Sequence, residues 1–130
     1  MERKNVTYNQ AIEKEIGFSR AVRIGNIIAV TGSAPTAKDG SVHCPGDLYE
    51  QSKRSFEIIK DVIEEAGGRI EDVIRTRMFL TDISRWKEAA KAHGEVFSEI
   101  LPATTFVEVS GLINPEWLVE IEADAVIQNG

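Results

Sequence analysis

The sequence predicts an α+β fold, a five-stranded sheet in the order ββαβαββ with two helices covering one face. Three observations carry this reading. Gly25-Asn26 stands between two extended apolar runs, as the turn of a hairpin does. Two later segments repeat their apolar residues at helical spacing. The last segment, Trp117 to Ile127, alternates apolar and polar residues as a strand with one buried face does. No repeat or linker divides the chain, so residues 1–130 are expected to form one domain.

Taken in order, Phe18 to Ile24 and Ile27 to Thr31 make the hairpin, closed by Gly32. A polar loop with Pro35, Lys38-Asp39-Gly40 and Pro45-Gly46 follows. Asp47 is an N-cap, with Glu50 placed to complete a capping box. From there Leu48, Ser52, Phe56, Ile59, Ile63 and Ala66 form one helical stripe, stopped by Gly67-Gly68. Val73 to Thr81 is a strand, with Ile74, Thr76, Met78 and Leu80 on one side and Arg75, Arg77 and Phe79 on the other. Ser84 caps a second helix carrying Trp86, Ala89, Ala90, His93, Val96, Phe97 and Ile100, which Pro102 ends. Thr104 to Val109 and Trp117 to Ile127 close the sheet.

Two helices cover one face of such a sheet. The other is expected to carry Arg75, Arg77, Phe79, Thr104, Phe106, Glu108, Leu118, Glu120, Glu122 and Val126. That mixture is too apolar for open water and too charged for a dry core, so it predicts contact with another subunit.

Composition bounds the function. Twenty-one acidic against 15 basic residues give a net charge of −6, which lacks the basic footprint of a nucleic-acid binder. No apolar run approaches the roughly 20 residues of a membrane span. Met1-Glu2-Arg3-Lys4-Asn5 has no apolar stretch behind it, so no secretory signal is expected. A single cysteine, Cys44, fits a reducing compartment, and the expected location is the cytoplasm. The His43-Cys44 pair invites a metal, yet two histidines and one cysteine offer too few of zinc's usual ligands for a closed site. No metal site is expected. His93, on the apolar stripe of the second helix, is expected to be a packed, hydrogen-bonded group rather than a general base.

The chain resembles the RidA/YjgF family of enamine/imine deaminases from about Gly17 to Val126. The resemblance rests on Arg23-Ile24-Gly25-Asn26, Val30-Thr31-Gly32-Ser33, Glu65-Ala66-Gly67-Gly68 and Arg77-Met78-Phe79-Leu80-Thr81-Asp82. It is carried most by Leu101-Pro102-Ala103-Thr104-Thr105-Phe106-Val107-Glu108-Val109 and Glu120-Ile121-Glu122-Ala123. It implies a chorismate-mutase-like fold and a homotrimer with small-molecule clefts between subunits. The implied chemistry is hydrolysis of small enamines or imines, such as 2-aminoacrylate, to a keto acid and ammonia, without cofactor or metal. In that chemistry an arginine after the Pro-Ala pair grips the substrate carboxylate, and a glutamate on the last strand places water.

Here Thr104 occupies the arginine position, Phe106 a position often cysteine in the deaminases, and Phe18 a position typically tyrosine. Threonine brings a hydroxyl but neither charge nor fork. The pattern resembles an arginine-lacking branch and points away from standard 2-aminoacrylate activity. Glu120 keeps the glutamate position and is the expected catalytic residue. Phe18, Arg20, Thr31, Arg77, Thr104 and Phe106 are the expected substrate-binding residues. Phe18 and Phe106 wall the cleft, Arg20 or Arg77 holds an anion, and Thr31 and Thr104 supply hydroxyls. Arg75 and Arg77 are alternatively read as cross-strand partners of Glu120 and Glu122. Two other functions remain open: a non-catalytic metabolite-binding or regulatory module, and a protein- or RNA-directed role, against which the acidic balance weighs.

Overall fold

A computed structural model describes residues 1–128. The strands are β1 (Arg3–Val6), β2 (Ala21–Ile24), β3 (Ile27–Ser33), β4 (Val73–Leu80), β5 (Ala103–Glu108) and β6 (Val119–Val126). The helices are α1 (Ala11–Ile16), α2 (Leu48–Glu65) and α3 (Trp86–Phe97). All six strands join one mixed sheet in the order β1-β2-β3-β6-β4-β5, in which only β4 and β5 run parallel. The α+β class stands. The predicted order gains one strand and one helix at its start.

Gly25 takes φ +59° and closes the β2–β3 hairpin, the positive φ that such a turn needs. The side chain of Asp47 accepts from the Glu50 backbone N–H at 3.0 Å, as predicted for the N-cap of α2. The Asp47 N–H donates to the Cys44 carbonyl and not to the Glu50 side chain expected to complete a capping box. Leu48, Phe56, Ile59, Val62 and Ile63 are all buried against the sheet. Each contributes on the order of 2 kcal/mol by leaving water. On the sheet side Ile28, Val30, Met78, Leu80, Val119, Ile121, Ala123 and Ala125 complete the core.

Three expectations need correction. Asp82, not Ser84, caps the turn before α3, its carboxylate accepting from the Ser84 backbone N–H. Ile74 is half exposed, because a register irregularity between Val73 and Arg75 puts Val73 in the core instead. The third correction concerns the site. Thr104, Phe106 and Glu108 pair in register with Thr76, Met78 and Leu80, so they lie on the helix-covered side. The open face receives Ala103, Thr105 and Val107 from β5 beside Arg75, Arg77 and Phe79.

Candidate functional site

On the open face, β3 and β6 run side by side, and Glu120 extends toward the segment Thr31-Gly32. A Cβ at Gly32 would overlap the Glu120 Oε2, with Cγ 3.3 Å away. Gly32 has no positive φ, so its lack of a side chain is a requirement of space rather than of backbone. In the sequence Gly32 stood as a strand end and as part of the Val30-Thr31-Gly32-Ser33 family segment, with no spatial role attached. The spatial role became legible once β6 was laid beside β3. Burial raises the Glu120 pKa, and the neighbouring Glu122 carboxylate raises it further.

Phe18, expected as a wall, and Thr31, expected to supply a hydroxyl, line one groove of about 570 Å³ together with Asn5, Glu13, Val22 and Ala29. Glu13 was missed by sequence reading, because a charged residue in a short, charge-rich segment looks solvated. It is only 4% exposed. Its carboxylate accepts from the Tyr8 backbone N–H and pairs with Arg20 Nε at 3.3 Å. The Arg20 guanidinium also donates to Gln10 and lies 5.0 Å from the Tyr8 ring centre and 5.1 Å from that of Phe18. Arg20 is therefore held by four neighbours within its own chain.

Arg77 is also engaged. Its Nη1 lies 3.2 Å from Glu122 Oε1 and 3.2 Å from Asp124 Oδ2. Cross-strand pairing was the alternative reading for Arg77, and pairing occurs. The partners are Glu122 and Asp124, since the register sets Arg77 opposite Glu122 and Phe79 opposite Glu120.

Thr104 and Phe106 sit on the other side of the sheet, at its β5 edge. The exposed Thr104 shares a 2.6 Å hydrogen bond with the hydroxyl of Thr76, a residue with no exposure at all. Thr76 Oγ1 in turn lies 2.8 Å from His93 Nε2. The His93 ring is packed among Phe56, Phe97 and Phe106 at centroid distances of 5.6, 4.7 and 6.1 Å. Burial lowers its pKa and keeps the imidazole neutral near pH 7. Phe106 meets Trp86 edge-on at 6.3 Å, leaving the indole partly open to solvent.

The expected residues thus fall into two groups in one chain. Phe18, Thr31 and Glu120 belong to the β2–β3–β6 side of the molecule, and Thr104 and Phe106 to the far edge and opposite face. In the loop before α2, His43, Cys44 and Glu50 bring ligand atoms within 4.8 Å of one another, short of the four ligands of a closed zinc site. Cys44 is exposed and unpaired among the described residues.

A family model described as endoribonuclease L-PSP matches residues 8–127. The chain belongs to the RidA/YjgF family. It is 37% identical over 123 residues to a RutC family protein of Pyrococcus abyssi, covering 94% of this chain and 96% of that one. A solved structure from Mycobacterium tuberculosis, a member of the YjgF/YER057c/UK114 family, superposes with a TM-score of 0.88 at 39% identity. That likeness covers 97% of this chain and 100% of the other. The TdcF protein of E. coli, solved with bound serine, matches with a TM-score of 0.78 at 26% identity, over 85% and 88% of the two chains. RidA/YjgF membership agrees with the resemblance carried by Leu101 to Val109 and Glu120 to Ala123, and the shared fold is that of these neighbours.

Proposed function

We propose that this RidA/YjgF protein hydrolyses a small enamine or imine to a carbonyl compound and ammonia in clefts formed between copies of the chain. The observation that carries this reading is Glu120, half-buried, with a raised pKa and a glycine opposite its carboxylate. A carboxylate so placed can take a proton from water as the oxygen adds to the C=N carbon. The substrate reacts as its iminium, which an enamine reaches by taking a solvent proton on its β-carbon, so addition gives a neutral carbinolamine. Glu120 then returns its proton to the nitrogen, the C–N bond breaks to release ammonia, and the hydroxyl proton passes to solvent as the carbonyl forms. A raised pKa suits both transfers, since the group must hold the proton between them. Among the described residues Glu120 takes part in no salt bridge, whereas Glu122 and Asp124 both pair with Arg77.

The shared cleft is supported by the separation of the two residue groups. A neighbouring copy that set its β5 edge beside Phe18, Thr31 and Glu120 would bring Thr104 and Phe106 into the same cavity. A homotrimer is the assembly the family implies. The ligand class, a small amino-acid-derived molecule, draws on the serine bound by TdcF. It needs no cofactor or metal, and we propose neither a nucleic-acid nor a membrane partner for this cytoplasmic reading.

The experiment is ammonia release from freshly generated imines and enamines of serine, threonine and bulkier amino acids, with Glu120→Gln as control. Turnover abolished by the substitution supports hydrolysis. Absence of turnover on every member rejects it. A second reading, a metabolite-binding module without turnover, is favoured by one observation: Arg20 and Arg77 are both ion-paired, leaving neither as a ready anchor for a carboxylate. On that reading Glu120→Gln leaves binding intact.

A further inference from the structure

We propose that His93 and Thr76 form a relay that fixes the Thr104 hydroxyl as an outward hydrogen-bond donor, selecting ligands that present an acceptor oxygen there. This deepens the proposed function, because it rests on Thr104 facing the ligand. It also assigns a positioning role to two residues that touch no ligand themselves.

Proton counting carries the inference. A hydroxyl has one proton to give and two lone pairs. The proposed direction has Thr76 Oγ1 giving its only proton to Thr104 Oγ1, 2.6 Å away. In that direction it has none left for His93 Nε2, 2.8 Å away, so that nitrogen carries the hydrogen and donates to Thr76. The reverse direction would put the ring hydrogen on Nδ1, which has no hydrogen-bond partner among the described residues. Thr104 accepts from Thr76, which leaves its own proton free to point outward. The chain of bonds then runs in one direction, His93 to Thr76 to Thr104, and each link polarises the next.

Thr76 is completely buried on β4, between β6 and the edge strand β5, where a hydroxyl without partners would be costly. Valine would have served the core there equally well. The ring of His93 is fixed by three aromatic neighbours, so its Nε2 cannot turn away from Thr76 without disturbing them. Protonation of His93 would leave the Nε2 hydrogen in place, so the direction of the relay is independent of the charge on the ring. Beside Thr104, Phe106 and the partly open Trp86 offer apolar surface. The matching ligand has an acceptor oxygen next to a small apolar body. A group able only to donate, such as an ammonium, meets the wrong polarity.

Two NMR measurements on the whole protein test this. Long-range nitrogen–proton correlation of the imidazole reads the tautomer, expected to be Nε2–H. Backbone shifts at Thr104 to Phe106 are then followed during titration with 3-methyl-2-butanone, which only accepts, and with isobutylammonium, which only donates. The ketone is expected to bind more tightly by about fivefold, the worth of one hydrogen bond. That preference should disappear in Thr76→Val. His93→Gln, whose amide can still donate, should keep it, and His93→Phe should lose it, so the inference stands even if one variant fails to fold. An Nδ1–H tautomer, a preference for the ammonium, no saturable shift with the ketone, or a preference unchanged by Thr76→Val or His93→Phe would overturn it. These readouts do not depend on turnover. Failure of the ammonia assay with an intact relay would reject hydrolysis alone.

Discussion

Burial and the Glu122 carboxylate both raise the Glu120 pKa, so the folded protein binds that proton more tightly than the unfolded chain does. Below the ordinary glutamate range both states are protonated and the site costs nothing. As pH rises through the raised pKa the folded state must ionise a half-buried group, and stability is lost. Glu120→Gln has no such loss. Its melting temperature should therefore match the wild type near pH 4 and exceed it at pH 7.5, as thermal melts of the two at both pH values will read. Equal differences at the two pH values would refute the assignment. Gly32 makes a complementary case. Gly32→Ala keeps an allowed backbone and forces the Glu120 carboxylate aside, so stability should change by no more than about 1 kcal/mol. Any turnover that depends on Glu120 should fall about a hundredfold, the usual effect of a misplaced catalytic group. Thermal melts paired with ammonia release separate the two effects. Glu120 was legible as a candidate because the resemblance to the family places a glutamate there. The role of Gly32 was not, since it depends on a neighbour 88 positions away along the chain, visible only once β3 and β6 are paired.

The elements that sequence patterning found are those with strong local signals. The Gly25-Asn26 turn, the Asp47 cap and the strict alternation of β6 each declare themselves within a few residues. β1 and α1 do not. Arg3-Lys4-Asn5-Val6 looks like a charged tail and becomes a strand by pairing with β2, and α1 is six residues long. What anchors α1 is Glu13, through Tyr8 and Arg20. Removing one partner of a buried ion pair leaves the other uncompensated, so Glu13→Ala should destabilise the protein by about 2 kcal/mol, discounted for the partial exposure of Arg20. Urea denaturation with an unchanged m-value checks it, and a loss below a few tenths would show α1 to be held by other contacts. β5 was misplaced on its faces for a different reason. Ala103–Glu108 has no clear contrast between its two sides, and its register is imposed by the parallel neighbour β4. Weak alternation on an edge strand leaves the assignment to tertiary pairing.

At the scale of the whole molecule, the expected site residues cannot enclose one ligand within a single chain. Glu120 lies opposite Phe79, and Phe79 opposite Val107 on β5. Thr104 is three residues before Val107, about 10 Å back along its strand, two strands across, and on the other face. If the cleft joins Glu120 of one copy to Thr104 of its neighbour, two defective variants should repair each other. Glu120→Gln would lack the water-placing carboxylate, and Thr104→Glu would set a negative charge in the cleft. Each is expected to be inactive alone. When they are unfolded and reassembled at equal ratio, a cleft is intact only where an unmodified Glu120 meets an unmodified Thr104. In a cyclic assembly with random mixing that occurs at about one cleft in four. Ammonia release should therefore recover to about a quarter of the wild-type rate, with light scattering used to confirm that the mixture has the mass of the wild-type assembly. A site built within one chain would give no recovery at any mixing ratio. That outcome would reject the shared cleft, and with it Thr104's place beside the Glu120 ligand, though not the hydrogen bonds that join His93, Thr76 and Thr104.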